Sequence, residues 1–198
     1  MSSSSDGQVC LPVRQVPFYN ACASDMALLG AIIGGGMSRR FGSDKAMARI
    51  DGVTLLDHVH AALQPQVDDI VLCGRSWLEW TSIPDVPGPG LGPLGGMAAA
   101  LEYGRRNGFD AVLTVPLDTY PLPSDLARSL GTGPVCFADQ YMVGIWPASL
   151  CARLNAHIVS GHRSVRSWIS ASGCQLIKVD NLAWRNINVA TDLHEIFE

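Results

Sequence analysis

The feature that most constrains the fold of this chain is an apolar run that ends abruptly in glycine. Residues 27–33 read ALLGAII, and glycines occupy the next three positions. A short apolar run bounded by glycines is typical of a strand buried on both faces, as the strands of parallel sheets are. Glycine lets the backbone turn sharply and lets a ligand approach without meeting a Cβ atom. The pattern therefore predicts a central strand followed by a loop that a ligand can reach.

The loop after this strand carries hydroxyl and cationic side chains, among them Ser38, Arg39, Arg40 and Lys45. Backbone amides and fixed positive charges suit a bound polyphosphate. The spacing excludes a P-loop, whose lysine directly follows a glycine, and it excludes the G-x-G-x-x-G motif of dinucleotide-binding folds. A glycine-rich turn with solvated basic side chains is the alternative. The clustering of these cations in a chain of net charge −4 favours a phosphate site.

Apolar segments alternate with helical patterns through the rest of the chain. Strands are predicted at residues 47–50, 69–73, 110–115, 134–138, 141–146 and 175–179. Helices are predicted at residues 54–63, 97–106, 124–130, 148–159 and 164–171, with a last one opening at Thr191. Residues 81–96 are rich in proline and glycine and are predicted to form a functional loop. Strands that alternate with helices predict a single-domain α/β fold, in which helices cover both faces of a mostly parallel sheet.

Composition and the first residues exclude several classes of protein. Residues 1–25 begin with a serine run and show no periodicity, so we expect a flexible tail before a domain of residues 26–198. The net charge of −4 argues against nucleic acid or a membrane surface as a partner, and no run is long enough to span a membrane. None of the six cysteines forms a C-x-x-C pair, so we expect free thiols, no zinc site and a reducing, cytoplasmic setting.

Asp118 is the acidic residue best placed for catalysis. It follows the predicted strand 110–115 and lies between Pro116 and Pro121. In open α/β sheets ligands bind at the carboxyl ends of strands, where residues 34–45 are also expected. Mg²⁺ keeps most of its coordination positions for water and phosphate oxygens, so one such carboxylate suffices to hold it. The alternative is that Asp118 only caps the turn that follows.

Motifs in four segments of the chain share a resemblance. IGGGMSRRFGSDK (33–45) is similar to L-A-G-G-x-S-x-R-M-G-x-D-K, and PLDTYPLP (116–123) is similar to P-C-D-x-P-x-L-P. GPLGG (92–96) is similar to G-P-L-A-G, and RNINVATDL (185–193) is similar to N-I-N-T-P-E-D-L. Over residues 27–195 the chain resembles the molybdenum cofactor guanylyltransferases of the nucleotidyltransferase superfamily. The resemblance implies a Rossmann-like nucleotidyltransferase fold.

The resemblance also implies roles for individual residues. The implied nucleotide-binding residues are Ile33, Gly34, Gly35, Gly36, Ser38, Lys45, Asp85, Gly92 and Asp118. The implied catalytic residues are Lys45, Arg40 and Asp118, and Asp118 is also the implied ligand of Mg²⁺. The implied molybdopterin-binding residues are Arg163 and Arg166 of the segment GHRSVR, which is similar to G-x-R-S-V-R, together with Asn186 and Asn188.

Asp85 and Cys73 match positions that contact the nucleotide in members of the family. Asp85 matches in spacing an aspartate that contacts the bound nucleotide in the family, and a carboxylate can accept from both N1–H and the 2-amino group of guanine. A solvated loop aspartate is the alternative interpretation of Asp85. Cys73 stands where some relatives have an asparagine that contacts the nucleotide, so this contact is lost or replaced.

The activity that the resemblance implies is transfer of GMP from GTP to molybdenum-bearing molybdopterin, with release of pyrophosphate. Mg²⁺ is the expected cofactor, and proteins that deliver or accept the molybdenum cofactor are expected partners besides the two substrates. The alternatives are a molybdenum cofactor cytidylyltransferase, a nucleotidyltransferase with another small phosphorylated acceptor, and a nucleotide-binding regulatory protein without turnover. Glycine at all of positions 34–36 favours the guanylyl branch, and Lys45 together with Asp118 favours an enzyme.

Overall fold

A computed structural model describes residues 13–14, 26–35, 45–77, 80–179 and 184–187. The strands in chain order are β1 (Val13–Arg14), β2 (Leu28–Ile33), β3 (Arg49–Ile50), β4 (Val53–Thr54), β5 (Asp69–Cys73), β6 (Ser82–Ile83), β7 (Ala111–Pro116), β8 (Thr119–Tyr120), β9 (Val135–Phe137), β10 (Gln140–Pro147), β11 (Gln175–Ile177) and β12 (Arg185–Asn186). The α-helices are α1 (Leu55–Leu63), α2 (Pro93–Arg106), α3 (Leu126–Leu130), α4 (Cys151–Val159) and α5 (Val165–Ser172). Short 3₁₀ helices cover Lys45–Met47, Gln64–Gln66 and Ala148–Leu150.

Eight of these strands form one sheet in the order β1-β11-β9-β10-β7-β2-β5-β6. Among the described strands of this sheet, only β10 runs antiparallel, and it lies between β9 and β7. The other neighbours pair in parallel. The remaining strands form two small ribbons, β3 with β4 and β8 with β12.

The register of the central strands brings their carboxyl ends to one level. Ile33, the last residue of β2, pairs with Cys73 of β5 on one side and with Pro116 of β7 on the other. All six residues of β2 are buried, which explains why this strand is an unbroken apolar run. The segments that follow β2, β5 and β7 therefore leave the sheet side by side, at an edge that we call the carboxyl edge.

Apolar side chains fill both faces of the sheet. One core cluster lies under α1 and α3 and includes Leu56, Val59 and Leu126. The other lies under α2, α4 and α5 and includes Met97 and Trp168. The predicted α/β class, a mostly parallel sheet with helices on both faces, is confirmed.

The predicted loop 81–96 is more ordered than its composition indicates. It contains the strand β6, and α2 begins at Pro93 instead of the predicted residue 97. Proline is favoured at the first helical position because the N–H that it lacks would have no intrahelical partner there. Gly95 and Gly96 lower the helical propensity of this turn, yet both are buried, so packing outweighs propensity.

The predicted strand 47–50 is also different in the structure. A 3₁₀ turn precedes β3, and β3 forms a hairpin with β4. Asp51 and Gly52 connect the two strands with φ values of 53° and 80°, the combination that a tight hairpin turn requires. Thr54 then caps α1, because its side-chain oxygen accepts a hydrogen bond of 3.1 Å from the backbone N–H of Asp57.

The predictions for the two chain ends remain open, whereas the prediction of free cysteines can be compared with the structure. Of residues 1–25 the structure describes Val13–Arg14, which pair with β11, and the flexible tail stays a prediction. The predicted helix that opens at Thr191 lies outside the described residues. The described cysteines are free, as expected, and they are also buried; they are Cys73, Cys136, Cys151 and Cys174. Within the part of the chain that the structure describes, no helix is both long enough and apolar enough to cross a membrane.

Candidate active site

Two charged side chains that are distant in sequence meet at the carboxyl edge. Lys45 opens the 3₁₀ turn after the glycine-rich loop, and Asp118 follows β7. The Nζ atom of Lys45 lies 2.6 Å from Oδ2 of Asp118, although 73 residues separate the two in sequence. Their side chains retain 14% and 18% of their exposure, so the ion pair is shielded but still reachable. The structure thus brings together two of the residues that the sequence predicts as catalytic.

Backbone hydrogen bonds fix the position of Asp118. The N–H of Leu117 donates to the carbonyl of Ile33 at 3.2 Å, which ties the segment to the central strand. The N–H of Ile187 donates to the carbonyl of Asp118 at 2.8 Å. The backbone that carries this carboxylate is therefore held from two sides, as a residue with a precise chemical task requires.

Asn186 lies beside the same segment. The antiparallel pairing of β12 with β8 places Asn186 opposite Thr119, the residue that follows Asp118. The hydroxyl of Thr119 lies 3.3 Å from Oδ1 of Asn186, and the amide oxygen accepts from it. A residue predicted to contact molybdopterin is therefore a neighbour of the predicted metal ligand, although its role stays a prediction.

The second part of the site surrounds Asp85, which follows β6. Its side chain lies against four glycines, Gly35, Gly74, Gly95 and Gly96, which we call the glycine cradle. A Cβ atom at Gly74 would lie 2.8 Å from Oδ1 of Asp85 and 2.7 Å from the Cα atom of Gly35. Gly74 also has a φ of +79°, which residues with a side chain rarely adopt. The cradle therefore depends on glycine for both space and backbone conformation.

One oxygen of the Asp85 carboxyl group lacks a donor among the described residues. In the part of the chain that is described, Oδ1 of Asp85 is buried and has no hydrogen-bond partner. Burial raises the pKa of Asp85 above its ordinary value. A buried acceptor without a donor costs about 1–3 kcal/mol, so a ligand that supplies N–H donors here would recover this free energy.

Three of the positions at the strand ends have a backbone role. The side chains of Ile33 and Cys73 are buried in the core, and the N–H of Gly34 donates to the carbonyl of Cys73 at 2.9 Å. Burial, and to a lesser extent the nearby Asp85, raises the pKa of the Cys73 thiol. Because its side chain faces the core, Cys73 does not reach a ligand at the carboxyl edge.

Gly92 caps α2 with a φ of 63°, a conformation that favours glycine.

The two predicted arginines lie near the start of α5 and have protein partners there. Arg163 donates to the carbonyls of Ile158 and His162, the first of which belongs to the last turn of α4. The guanidinium of Arg166 lies 5.3 Å from the ring centroid of Tyr141, within the range of a cation–π contact. Both side chains are exposed, and their binding of molybdopterin stays a prediction.

Some predicted residues lie outside the described part of the chain, and three of the four cradle glycines were not among the predicted site residues. Gly36, Ser38, Arg40 and Asn188 are not described, so their roles stay predictions. Gly95 and Gly96 lie in the segment 92–96 that carries part of the resemblance, whereas Gly74 was missed altogether, although the sequence holds a signal for it. It directly follows an apolar strand, in the same way that glycine follows β2.

Asp118 fits a metal that needs few protein ligands. Among the described residues, no group of three or more His, Cys, Asp or Glu side chains could hold a metal ion. Asp118 offers one carboxylate in a partly exposed position. Such a hard oxygen ligand, partly exposed, suits Mg²⁺, which completes its shell with water and phosphate oxygens, and does not suit a closed zinc site.

The similarity to known proteins extends over most of the chain. A family model described as a MobA-like NTP transferase domain matches residues 30–176. The chain is 30% identical to the molybdenum cofactor guanylyltransferase of Rhodobacter capsulatus, over 85% of this chain and 94% of that relative. It is also 30% identical to the protein of the same name from Cereibacter sphaeroides, with the same coverage.

A solved structure has the same fold. It is molybdopterin-guanine dinucleotide biosynthesis protein A from Archaeoglobus fulgidus, with a TM-score of 0.69 and 19% identity. The similarity covers 84% of this chain and 95% of that protein. The range matched by the family model contains both the Lys45–Asp118 pair and the glycine cradle.

Proposed function

The chain belongs to the family of MobA-like NTP transferases, and we propose that it is a molybdenum cofactor guanylyltransferase. In this reaction the terminal phosphate of molybdenum-bearing molybdopterin attacks the α-phosphorus of GTP. A P–O bond to the acceptor forms, the bond from the α-phosphorus to the bridging oxygen breaks, and pyrophosphate leaves with the electron pair. No side-chain nucleophile is needed, so the residues of the chain act by positioning and by electrostatics.

The observation that carries the proposal is the Lys45–Asp118 pair. A transfer of this kind needs positive charge near the leaving pyrophosphate and a hard oxygen ligand close to it. The two side chains lie 2.6 Å apart, partly exposed, at the edge of the sheet where α/β proteins bind ligands. A purely structural ion pair would need neither this location nor the glycine-rich loop that leads into Lys45.

Lys45 would donate to the phosphates of GTP. Its compact ammonium can approach phosphate oxygens closely, and it offsets the charge that grows on the leaving pyrophosphate. Arg40 would add a second cation from the same loop. Since Lys45 already donates to Oδ2 of Asp118, it would exchange this carboxylate for phosphate oxygens when GTP binds.

Asp118 would hold the metal, which we propose to be Mg²⁺. When bound, Mg²⁺ polarises phosphate oxygens as a Lewis acid. The support for Asp118 is its single, partly exposed carboxylate beside a lysine, on a backbone fixed by Ile33 and Ile187.

Asp85 would recognise the base. The support is its buried Oδ1 atom, which has no donor among the described residues, and the glycine cradle, which leaves space around the carboxyl group. N1–H and the 2-amino group of guanine are two donors on one edge of the base, and a carboxylate can accept from both. Adenine and cytosine do not offer this pair, so Asp85 favours GTP over ATP and CTP. Gly34, Gly35 and Gly92 would line the same part of the site.

The acceptor would bind on the other side of Asp118. Asn186 is supported by its contact with Thr119, next to Asp118. Asn188, Arg163 and Arg166 complete the proposed molybdopterin site. The two arginines are exposed, so they are available to a phosphate in addition to their present partners.

Pyrophosphate release tests the proposed function. The purified protein is incubated with GTP, CTP, ATP or UTP in Mg²⁺, with and without molybdenum-bearing molybdopterin. We expect pyrophosphate only when GTP and the acceptor are both present. Release with CTP in place of GTP would identify a cytidylyltransferase. Nucleotide binding without release under any condition would favour the regulatory alternative.

A further inference from the structure

A small apolar cluster, separate from the two main cores, connects the segments that carry the active site. It consists of Ile50, Leu55, Ile187 and the partly buried Tyr120. Its members come from the hairpin after Lys45, from the start of α1, from the ribbon strand after Asp118 and from the residue after Asn186. We call it the junction cluster. Because distant parts of the chain meet in it, its packing sets how these parts lie relative to one another.

His58 on α1 makes the polar contact of this junction. Its Nε2 atom lies 3.0 Å from the carbonyl oxygen of Ile50. A carbonyl only accepts, so Nε2 carries the proton and donates. The ring also packs edge-on against Tyr120, with the two ring centroids 5.1 Å apart. One side chain therefore contacts both the hairpin that follows Lys45 and the strand that follows Asp118.

We propose that His58 is a positioning residue for the transfer reaction and sets the distance between Lys45 and Asp118. This role presupposes the proposed function. Two backbone hydrogen bonds connect the junction cluster to the segments that carry Lys45 and Asp118. Leu55 N–H donates to the carbonyl of Ala48 at 2.7 Å, just after the turn that bears Lys45, and Ile187 N–H donates to Asp118.

The surroundings of His58 distinguish a positioning role from a general contribution to the stability of the fold. The apolar face of α1 that holds the helix on the sheet consists of Leu56, Val59 and Leu63, which lie in the main core. His58 is half-buried, and both of its contacts flank the site. Its loss is therefore expected to leave the main core intact and to loosen the junction.

His60 supplies a matched control on the same helix. It is also half-buried, but it stacks on Trp80 with ring centroids 4.1 Å apart. Trp80 packs against the main core cluster and not against the junction cluster. His58→Ala and His60→Ala thus remove the same side chain from one helix, and only the first removes a junction contact.

The experiment compares His58→Ala, His58→Gln and His60→Ala by steady-state kinetics and by amide hydrogen exchange. In His58→Ala we expect kcat to fall about fivefold or more, the factor that one lost hydrogen bond of ordinary strength produces. KM for GTP should change less than kcat, since the glycine cradle is not affected. Exchange in peptides that cover 119–122 and 184–187 should accelerate, whereas exchange in α2 should not. His58→Gln, whose amide can donate to Ile50, should recover most of kcat.

Two results would overturn the proposal. One is wild-type exchange at 184–187 in His58→Ala, and the other is an equal fall of kcat in His58→Ala and His60→Ala. If the wild-type protein transfers no GMP, the proposed function fails, while the exchange measurements still decide whether His58 holds the junction.

Discussion

Asp118 and Asp85 are two carboxylates at the same edge of the sheet, and the protein satisfies them in opposite ways. Oδ2 of Asp118 accepts from the ammonium of Lys45 at 2.6 Å. Oδ1 of Asp85 is buried among glycines and has no hydrogen-bond partner in the described part of the chain. Burial raises the pKa of Asp85.

The difference corresponds to what each carboxylate is proposed to bind. A metal ligand receives a cation, and in the proposed mechanism Lys45 would occupy that place with its ammonium until it binds the phosphates of GTP. A group that recognises a base receives neutral N–H donors, and a buried acceptor without a partner gains the most from such donors. The proposed phosphate end of the site therefore consists of opposite charges, whereas the proposed base end consists of glycines and an acceptor that has no donor among the described residues.

Replacing Asp118 should have the largest effect and tests the phosphate end. Asp118→Asn keeps the shape of the side chain and can still accept from Lys45, so the fold should persist. A metal held by Asp118 would stabilise transition-state charge by several kcal/mol, so turnover should fall about a hundredfold or more. Pyrophosphate release in Mg²⁺ measures this, with circular dichroism to confirm folding. Near-normal rates in a folded variant would remove Asp118 from the metal site.

Replacing Lys45 also tests the proposed phosphate end, and the expected loss of activity is smaller. A charge-assisted hydrogen bond contributes about 1.5–3 kcal/mol, so Lys45→Ala should lose about tenfold or more in kcat/KM for GTP. Lys45→Arg should also be impaired, because a planar guanidinium does not replace a compact ammonium in a tight loop. Lys178 is the other lysine of the chain and is exposed, so Lys178→Ala is the matched control. Wild-type kinetics in Lys45→Ala would contradict the proposed role of the loop.

Asp85 tests the base end. Asp85→Ala removes an acceptor for guanine, and the preference for GTP over ATP should narrow by about 1–3 kcal/mol. Competition between the two nucleotides measures this preference. Lys45→Ala should lower the rates with both nucleotides and leave their ratio unchanged, because phosphates are common to both. If Asp85→Ala leaves the ratio unchanged, guanine is recognised elsewhere and the contrast between the two ends is lost.

The smallest expected effect is that of Asp85→Asn on the melting temperature of the protein. Because the pKa of Asp85 is raised in the folded state, the folded protein binds this proton more tightly than the unfolded chain does, and stability is lost as pH rises through the raised pKa. Asp85→Asn does not ionise and should melt above wild type without ligand, by about 2–4 °C for each kcal/mol gained. The advantage should grow as the pH rises from about 4, near the ordinary pKa of an aspartate, through the raised pKa of Asp85. Thermal melts at about pH 4 and at neutral pH measure it. A difference independent of pH would argue against a carboxylate whose Oδ1 atom is buried without a partner among the described residues.

Much of the fold could be predicted because its signals are local. The apolar run that became β2, the alternation of strands and helices, and the glycine or proline at strand ends depend on residues that are neighbours in sequence. The start of α2 was misplaced for a physical reason. Gly95 and Gly96 disfavour a helix on their own, and only their burial against Asp85 and the sheet explains why they are helical.

The sequence by itself determined the order of the elements, the motifs and the residue types available for chemistry. Only the tertiary structure decided that Lys45 pairs with Asp118, that Asp85 has a buried oxygen with no partner among the described residues, and that His58 contacts two segments of the proposed site. The first depends on the register of β2 with β7, and the second on the register of β5 with β2 and β6. The third depends on the packing of α1 against β3 and β8. All three involve residues from different segments of the chain. Such contacts form only when the sheet assembles, because burial and pairing are properties of the packed chain and have no signal in any short stretch of sequence.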